Sequence, residues 1–468
     1  MTLPVAAAFA DSTAPALDAA AQTPAPLAAG PFGFLNASAT SPNLFGDMGG
    51  LRTWLGKYGL TLTLTENAEI LGNVSGGAKQ GFEENGLTTA TLQLDTQKAF
   101  GWNGGTFNVS GLHIWGGDLS TSNLYTLQFA SNIEAEPSLR LWELWYQQKF
   151  GDKVDIKFGE QSIDQEFMLS SNAGYFLNAV MGWPELPTEN MPAGGPVYPF
   201  AGLGVRLHAQ LSDNLNLLAG LFNGSPAPLN AENPQSANAS GVSFPLNTGV
   251  LAIAELQFSY AAADPNAKPK PGDPLPGTYK IGVWYNSEAF DDQQYDSAAV
   301  PLASPASNGI PATHRGNYAI YGVVDQMVWR DGADAGHNLN FFVRPTFTTL
   351  QDRNLISFSV DSGLTLLEPF SGRAKDAFAL GIGVARVSNG ASGYDMQMNL
   401  YQPSVYTPVR STETFLEATY QYQATAWMQI QPDVQYVFNP GAGIADPSDP
   451  TQKIKNELVI GLRTNITF

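Results

Sequence analysis

The chain has no cysteine, which excludes disulfide staples and thiolate metal sites. It also lacks any apolar run near the ~18 residues that a membrane-crossing helix needs. If it spans a bilayer, it does so as a closed barrel, the other architecture that satisfies every backbone group in lipid. Charge is scarce as well. Asp, Glu, Lys and Arg make up 14% of the 468 residues, against roughly 25% in ordinary soluble proteins. Positive charge is scarcest: 23 Lys and Arg stand against 42 Asp and Glu, a formal net charge of −19. That excludes the clustered basic footprint of a nucleic-acid binder. The four histidines, His113, His208, His314 and His337, are scattered and show no Ser/His/Asp spacing suited to nucleophilic catalysis. The reading is therefore not an enzyme, and no metal or cofactor motif is present.

What is abundant is alternation. A chain this long is either several domains or one large barrel. From Tyr58 onward the period is two: Thr61-Leu62-Thr63-Leu64-Thr65 has one hydroxyl face and one leucine face. Thr91, Gln93, Asp95 and Gln97 oppose Leu92 and Leu94 in the next ribbon. Similar ribbons recur at about 105–115, 139–149, 153–161, 200–210, 214–223, 249–260, 278–287, 317–329, 339–348, 355–366, 376–388, 411–422, 426–438 and 456–468. About sixteen strands result, each near the 9–11 residues that a tilted strand needs to cross a bilayer.

Connections alternate between short and long. Gly101–Gly105, Gly151–Asp152, Leu211–Asp213 and Gln423–Thr425 are short; the longest segment runs from about Ser162 to Pro199. With both termini periplasmic, nearly every long loop falls outside, as outer-membrane barrels require. The 261–277 turn is long for its side, and the loop at Leu350–Asn354 is short for its side. Aromatics near strand ends, such as Trp102, Phe150, Tyr260, Trp329 and Phe438, suit interfacial girdles. The fold class predicted is an all-β transmembrane antiparallel barrel of about sixteen strands. A short helix precedes it, and the long third external loop folds inward.

The remaining segments divide simply. Residues 1–10 read as the remnant of a secretory signal, with a small-x-small site at Ala8-Phe9-Ala10. Residues 11–41 are an Ala/Pro-rich periplasmic linker. Residues 42–57 form a short helical segment at the periplasmic mouth, where Asp47 can cap and Leu51, Trp54, Leu55 and Tyr58 recur at helical spacing. Residues 58–468 are the barrel. The ending ELVIGLRTNITF sets Leu458, Ile460, Leu462, Ile466 and Phe468 against polar neighbours. Such an aromatic-terminated zipper resembles the signal read by the barrel-assembly machinery.

Several stretches resemble the carbohydrate-selective porin family (OprB-type) of Gram-negative outer membranes. They are LFGDMGGLRTWLGKYGL (Leu44–Leu60), FGEQSIDQEFMLSSNAGYFLNAVMGWP (Phe158–Pro184), YPFAGLGVRL (Tyr198–Leu207), GTYKIGVWYNSEAFDD (Gly277–Asp292), GNYAIYGVVDQMVWRD (Gly316–Asp331) and QIQPDVQYVFNPG (Gln429–Gly441). The resemblance implies a sixteen-stranded barrel that passes monosaccharides and small polyols passively. The chain departs from it in the Ala/Pro linker and the Pro/Asn-rich loop at 224–248.

A pore for neutral sugars offers hydrogen-bonding groups and apolar faces without binding too tightly. Charged groups in a narrow lumen bind hydroxyls strongly. By strand parity Arg206, Arg344 and Arg463 face inward, as do Glu143, Glu255, Asp361, Glu417 and Asp433. Arg206 and Arg344 are the leading candidates for solute contact. The competing reading is that lumenal Arg–carboxylate pairs hold the wall and an inserted loop in place. Trp284 lies on the inward face and could stack on a sugar ring or be buried beneath a loop. The 162–199 loop carries Asp164, Glu166, Tyr175, Phe176, Asn178 and Trp183, and is expected to form the constriction with Arg206 opposite. The expected partners are small neutral carbohydrates, outer-membrane lipid and lipopolysaccharide, and the assembly machinery, with the chain a monomer or homotrimer. The alternatives are a glycan-export or non-selective pore, and a soluble lectin-like β-protein.

Overall fold

The computed structural model describes residues 41–229, 231–261, 272–332 and 336–468. The signal remnant, nearly all of the linker and most of the long 261–277 turn lie outside those residues.

Sixteen antiparallel strands close into one barrel. In order they are β1 (Leu60–Ser75), β2 (Gly81–Asp95), β3 (Gly105–Gly116), β4 (Ser138–Phe150), β5 (Val154–Gln161) and β6 (Gly202–Gln210). Then come β7 (Leu215–Asn223), β8 (Val250–Tyr260), β9 (Gly277–Asp296), β10 (Pro311–Arg330), β11 (Asn338–Phe347) and β12 (Ile356–Leu367). The wall finishes with β13 (Ala377–Val387), β14 (Thr412–Thr425), β15 (Met428–Phe438) and β18 (Glu457–Thr467). A small hairpin, β16 (Ala445–Asp446) and β17 (Asp449–Lys453), decorates the last external loop. Each wall strand pairs with its neighbours in sequence, and β18 closes on β1 with Thr65 opposite Thr467 and Ile70 opposite Leu462. Both ends of the wall therefore meet at one rim, and most of the long loops rise from the other.

The leucine and isoleucine rows point outward: Leu203, Val205, Ile281, Leu380 and Leu462 are all exposed. Their inward neighbours Arg206, Glu255, Asp361 and Arg463 are buried. The rows do not meet in a sandwich interior. β9 and β10 run for 20 residues each, well beyond the ribbons read from sequence. Their outer halves pair with each other, His314 opposite Phe290, without needing a lipid face. The short helix Leu51–Lys57 is present. Asp47 Oδ1 accepts the Thr53 N–H at 2.8 Å, and the helix rests at the rim where β1 and β18 end.

Two loops enter the barrel. Segment 162–201 does so as expected, burying Phe167, Trp183 and Leu186 against Leu218, Ile253 and Trp284 of the wall. Further along it, Phe176 and Met181 pack on Phe342 and Phe415. The paired glycines Gly363 and Gly381 make room for this contact. A Cβ at Gly381 would stand 2.6 Å from the Phe176 ring. Segment 117–137 also folds inward, an unpredicted feature, with Leu119 and Leu124 buried beside Leu71 and Val459. The two loops join: Asn132 N–H donates to Leu177 O at 2.7 Å and Ala179 N–H to Phe129 O at 2.9 Å.

Candidate lumen constriction and its loop anchors

The inward faces of the strands bring ionisable side chains to the loops, and the loops use them as backbone partners. A loop buried inside a barrel carries N–H and C=O groups that water no longer satisfies. Wall carboxylates accept the N–H groups. Glu143 Oε1 takes Ser162 N–H at 3.1 Å, and Glu255 Oε2 takes Met168 N–H at 2.8 Å. Glu417 takes those of Leu177 and Asn178 at 2.6 and 3.2 Å. Wall cations and amides serve the carbonyls. Arg344 donates to Met168 O at 3.0 Å, and to Val180 O and Met181 O at 2.7 Å each. Lys280 Nζ reaches Leu169 O at 2.8 Å, and Gln431 reaches Tyr175 O at 2.8 Å.

This places most of the residues singled out from sequence. Arg344 is buried against Asp361, its remaining donors spent on the loop. Asp433 is buried on β15 and accepts from Gln435 at 3.0 Å. Arg206 does not stand across an open passage from the loop. It is buried at the loop's root, paired with Asp155 and with Glu166 of the loop. Lys157 shares Glu166 and lies 4.4 Å over the Trp145 ring. Burial alone would raise the Glu166 carboxyl, but the two cations override it and hold it below the usual carboxylate range. Trp284 is fully buried beneath the loop. Asp164 organises the loop itself, accepting from Ser162 Oγ at 2.6 Å and Tyr198 N–H at 3.0 Å. Burial pushes its carboxyl upward. Arg463 pairs with Glu69 at 2.6 Å, donates to Ser131 Oγ at 3.1 Å and borders an inner cavity.

Space remains on both sides of the joined loops. The outer cavity, about 260 Å³, is bordered by Phe129, Trp183, Tyr198 and Phe200, with Ser131, Asn132, Thr188 and Gln235. The inner one, about 70 Å³, is bordered by Trp142, Asn67, Gln421, Arg463 and, again, Asn132. Among the described residues the Asn132 side-chain oxygen has no hydrogen-bond partner. Glu134 and Glu185 also border the outer cavity. Burial pushes Glu134 up to about 8, though the Ser120 hydroxyl and Leu119 N–H partly offset it. Glu185 is raised for the same reason, with Glu189 and Glu413 adding repulsion.

Three features escaped sequence reasoning. Glu413 accepts Leu127, Gln128 and Gly441 N–H at 2.9, 2.7 and 2.7 Å, tying two loops to β14. It has the same parity as Glu417, which was the available signal. Trp142 faces inward with Glu143 because a bulge shifts the β3–β4 register between Ser110 and Gly111. Strict alternation puts Trp142 outside. Asn132 lies in the second loop, whose Leu119, Leu124 and Ile133 were the cue that it is buried.

The model of the carbohydrate-selective porin OprB family matches residues 79–468. Porin B of Pseudomonas aeruginosa is 25% identical over 461 residues, covering 92% of this chain and 93% of that one. A putative porin, QuiX, of Acinetobacter baylyi is 22% identical over 431 residues, covering 87% and 90%. The high-pH structure of Pseudomonas putida OprB superposes with a TM-score of 0.79 at 23% identity, covering 92% of this chain and 99% of that one.

Proposed function

This chain belongs to the OprB family of carbohydrate-selective porins, and from that membership we propose that it passes monosaccharides and small polyols by passive diffusion along a path beside Asn132. Its place is the outer membrane of a Gram-negative bacterium. The observation that carries the reading is the division of labour in the lumen. Glu143, Glu255, Glu413, Glu417, Lys280 and Arg344 are spent on loop backbone, while the space left open is bordered by aromatic faces, amides and hydroxyls, with the loop carboxylates Glu134, Asp164, Glu185 and Glu189 at its outer part. Aromatic faces suit the C–H side of a pyranose, and single neutral hydrogen bonds are weak enough to allow release. Of the charged candidates, Arg463 and Asp164 keep a place beside the path.

The test is liposome swelling and sugar block of single-channel current, in wild type and Asn132→Leu. Glucose should enter faster than a trisaccharide, and a long glycan should not pass. Loss of one hydrogen-bonding side chain at about 0.5–1.5 kcal/mol should weaken sugar block roughly 2- to 10-fold. Equal rates for mono- and trisaccharides would instead favour a general pore, and polymer efflux would favour glycan export.

A further inference from the structure

Between β4 and β8 the wall is low. β5 has 8 residues, and β6 and β7 have 9 each. At about 3.3 Å per residue and a tilt near 40°, such strands rise roughly 20–23 Å, short of an apolar band of about 25 Å. The cause is the inward turn of the chain after Gln161. The pairing of β4 with β5 stops at Leu144 opposite Glu160, so the upper part of β4 has an unoccupied edge.

The loop between β7 and β8 takes that edge. Leu141 N–H donates to Ser240 O at 3.0 Å, and Arg140 Nη2 donates to Asn238 O at 2.6 Å. Gly241 lies so close that a Cβ there would stand 1.9 Å from Leu141 O. Buried Asn238 fixes the turn, donating to Pro226 O and Ser243 O at 2.9 and 3.2 Å and accepting Ser243 N–H at 3.1 Å. The segment then returns to the top of β7, where Asn223 Nδ2 donates to Pro245 O at 3.3 Å. Along it Val242, Phe244 and Leu246 are 57%, 42% and 75% exposed, alternating with half-buried Ser243 and Pro245. The strands it spans present exposed Leu144, Leu203 and Val250.

We propose that residues 241–246 form a strap that completes the lipid-facing wall, and that the acyl chains of the outer leaflet cover Val242, Phe244 and Leu246. The strap restores apolar height where the strands fall short, and its outer face continues the belt of the neighbouring strands. A polar surface loop has no use for three exposed apolar side chains at period two.

Because the chain has no cysteine, single-cysteine variants report one position each. Phe244→Cys and Leu246→Cys would be labelled with an environment-sensitive fluorophore in the full-length protein. Leu203→Cys serves as the lipid reference. Leu400→Cys, on the exposed external helix Asn389–Tyr401, serves as the aqueous reference. All are reconstituted in phosphatidylcholine vesicles with and without brominated acyl chains. Labels at 244 and 246 should lose emission to brominated lipid as the label at 203 does, and resist aqueous iodide. Iodide quenching equal to that at 400 overturns the proposal. So does protection from both quenchers with the barrel running as an oligomer, which would make this face a contact between copies.

Discussion

Arg344 and Asp361 stand directly opposite each other across β11 and β12, with Nε 2.7 Å from Oδ2. The pair is closed to solvent, and the rest of the guanidinium grips the loop backbone. Replacing Arg344 with Met leaves a buried carboxylate unpaired and three loop carbonyls without a donor. Breaking such a pair costs about 3–5 kcal/mol. The expected result is a lower unfolding temperature in detergent together with larger, noisier single-channel current as the loop loosens. A variant with unchanged conductance would refute the anchoring role.

Arg206 should behave differently from a solute-binding arginine. In Arg206→Ala, Asp155 keeps His208 at 3.0 Å and Gln147 at 3.0 Å, and Glu166 keeps Lys157. The stability cost is then expected at or below about 3 kcal/mol, with glucose block of the current retained. Abolished block in a folded Arg206→Ala barrel would put this side chain back in the sugar path.

The two tryptophans separate packing from passage. Trp284→Ala removes a fully buried ring and should cost about 3–5 kcal/mol, while sugar block stays near wild type. Trp183 borders the outer cavity, so Trp183→Ala should weaken sugar block as well as stability. Paired measurements of unfolding temperature and block settle the contrast, and matching losses of block in both variants would contradict it.

Ion preference should follow pH through Glu134. Its carboxyl, pushed up to about 8 by burial, is neutral below that pH and negative above it. Raising the pH from 6 to 9 should therefore increase cation over anion permeability, read as a shift in reversal potential under a salt gradient. Glu134→Gln should reduce that shift, leaving the part carried by Glu185 and Glu189, which border the same cavity and are also raised by burial. The same sign governs stability. The folded value lies above the ordinary one near 4.3, so the contribution is full below it and is lost as pH rises toward 8. A reversal potential that ignores pH in the wild type would count against this assignment.

The wall was legible from residues such as Leu203, Val205 and Leu207 because a barrel couples strand parity directly to lipid and lumen. Trp142 was not, because one inserted residue reverses that parity locally. The lumen chemistry was legible only to the level of which face a side chain occupies. Arg344 and Arg463 look alike in sequence, each an inward arginine that follows an outward apolar residue, Val343 or Leu462. What distinguishes them is the path of a loop distant in sequence, which spends the donors of Arg344 on its carbonyls and leaves Arg463 bordering open space. The backbone demands of a buried loop leave no periodic trace in the strands that meet them. Gly363 and Gly381 illustrate this, since their fit to Phe176 appears only once the ring is seen between them.

At the periplasmic rim, Arg52 donates to Leu62 O on β1 and to the carbonyl of Phe468, just past the end of β18. Phe45 meets the Phe468 ring at 5.1 Å, and Leu44 N–H donates to Thr467 O at 2.8 Å. All other neighbouring strands are tethered by a connection of the chain; β1 and β18 must find each other from opposite ends of it. The clasp has both of its holds only after that meeting. An open cylinder offers Arg52 one carbonyl and the Phe45 ring nothing to press on, so docking of the amphipathic turn is a local record that the circle has been completed.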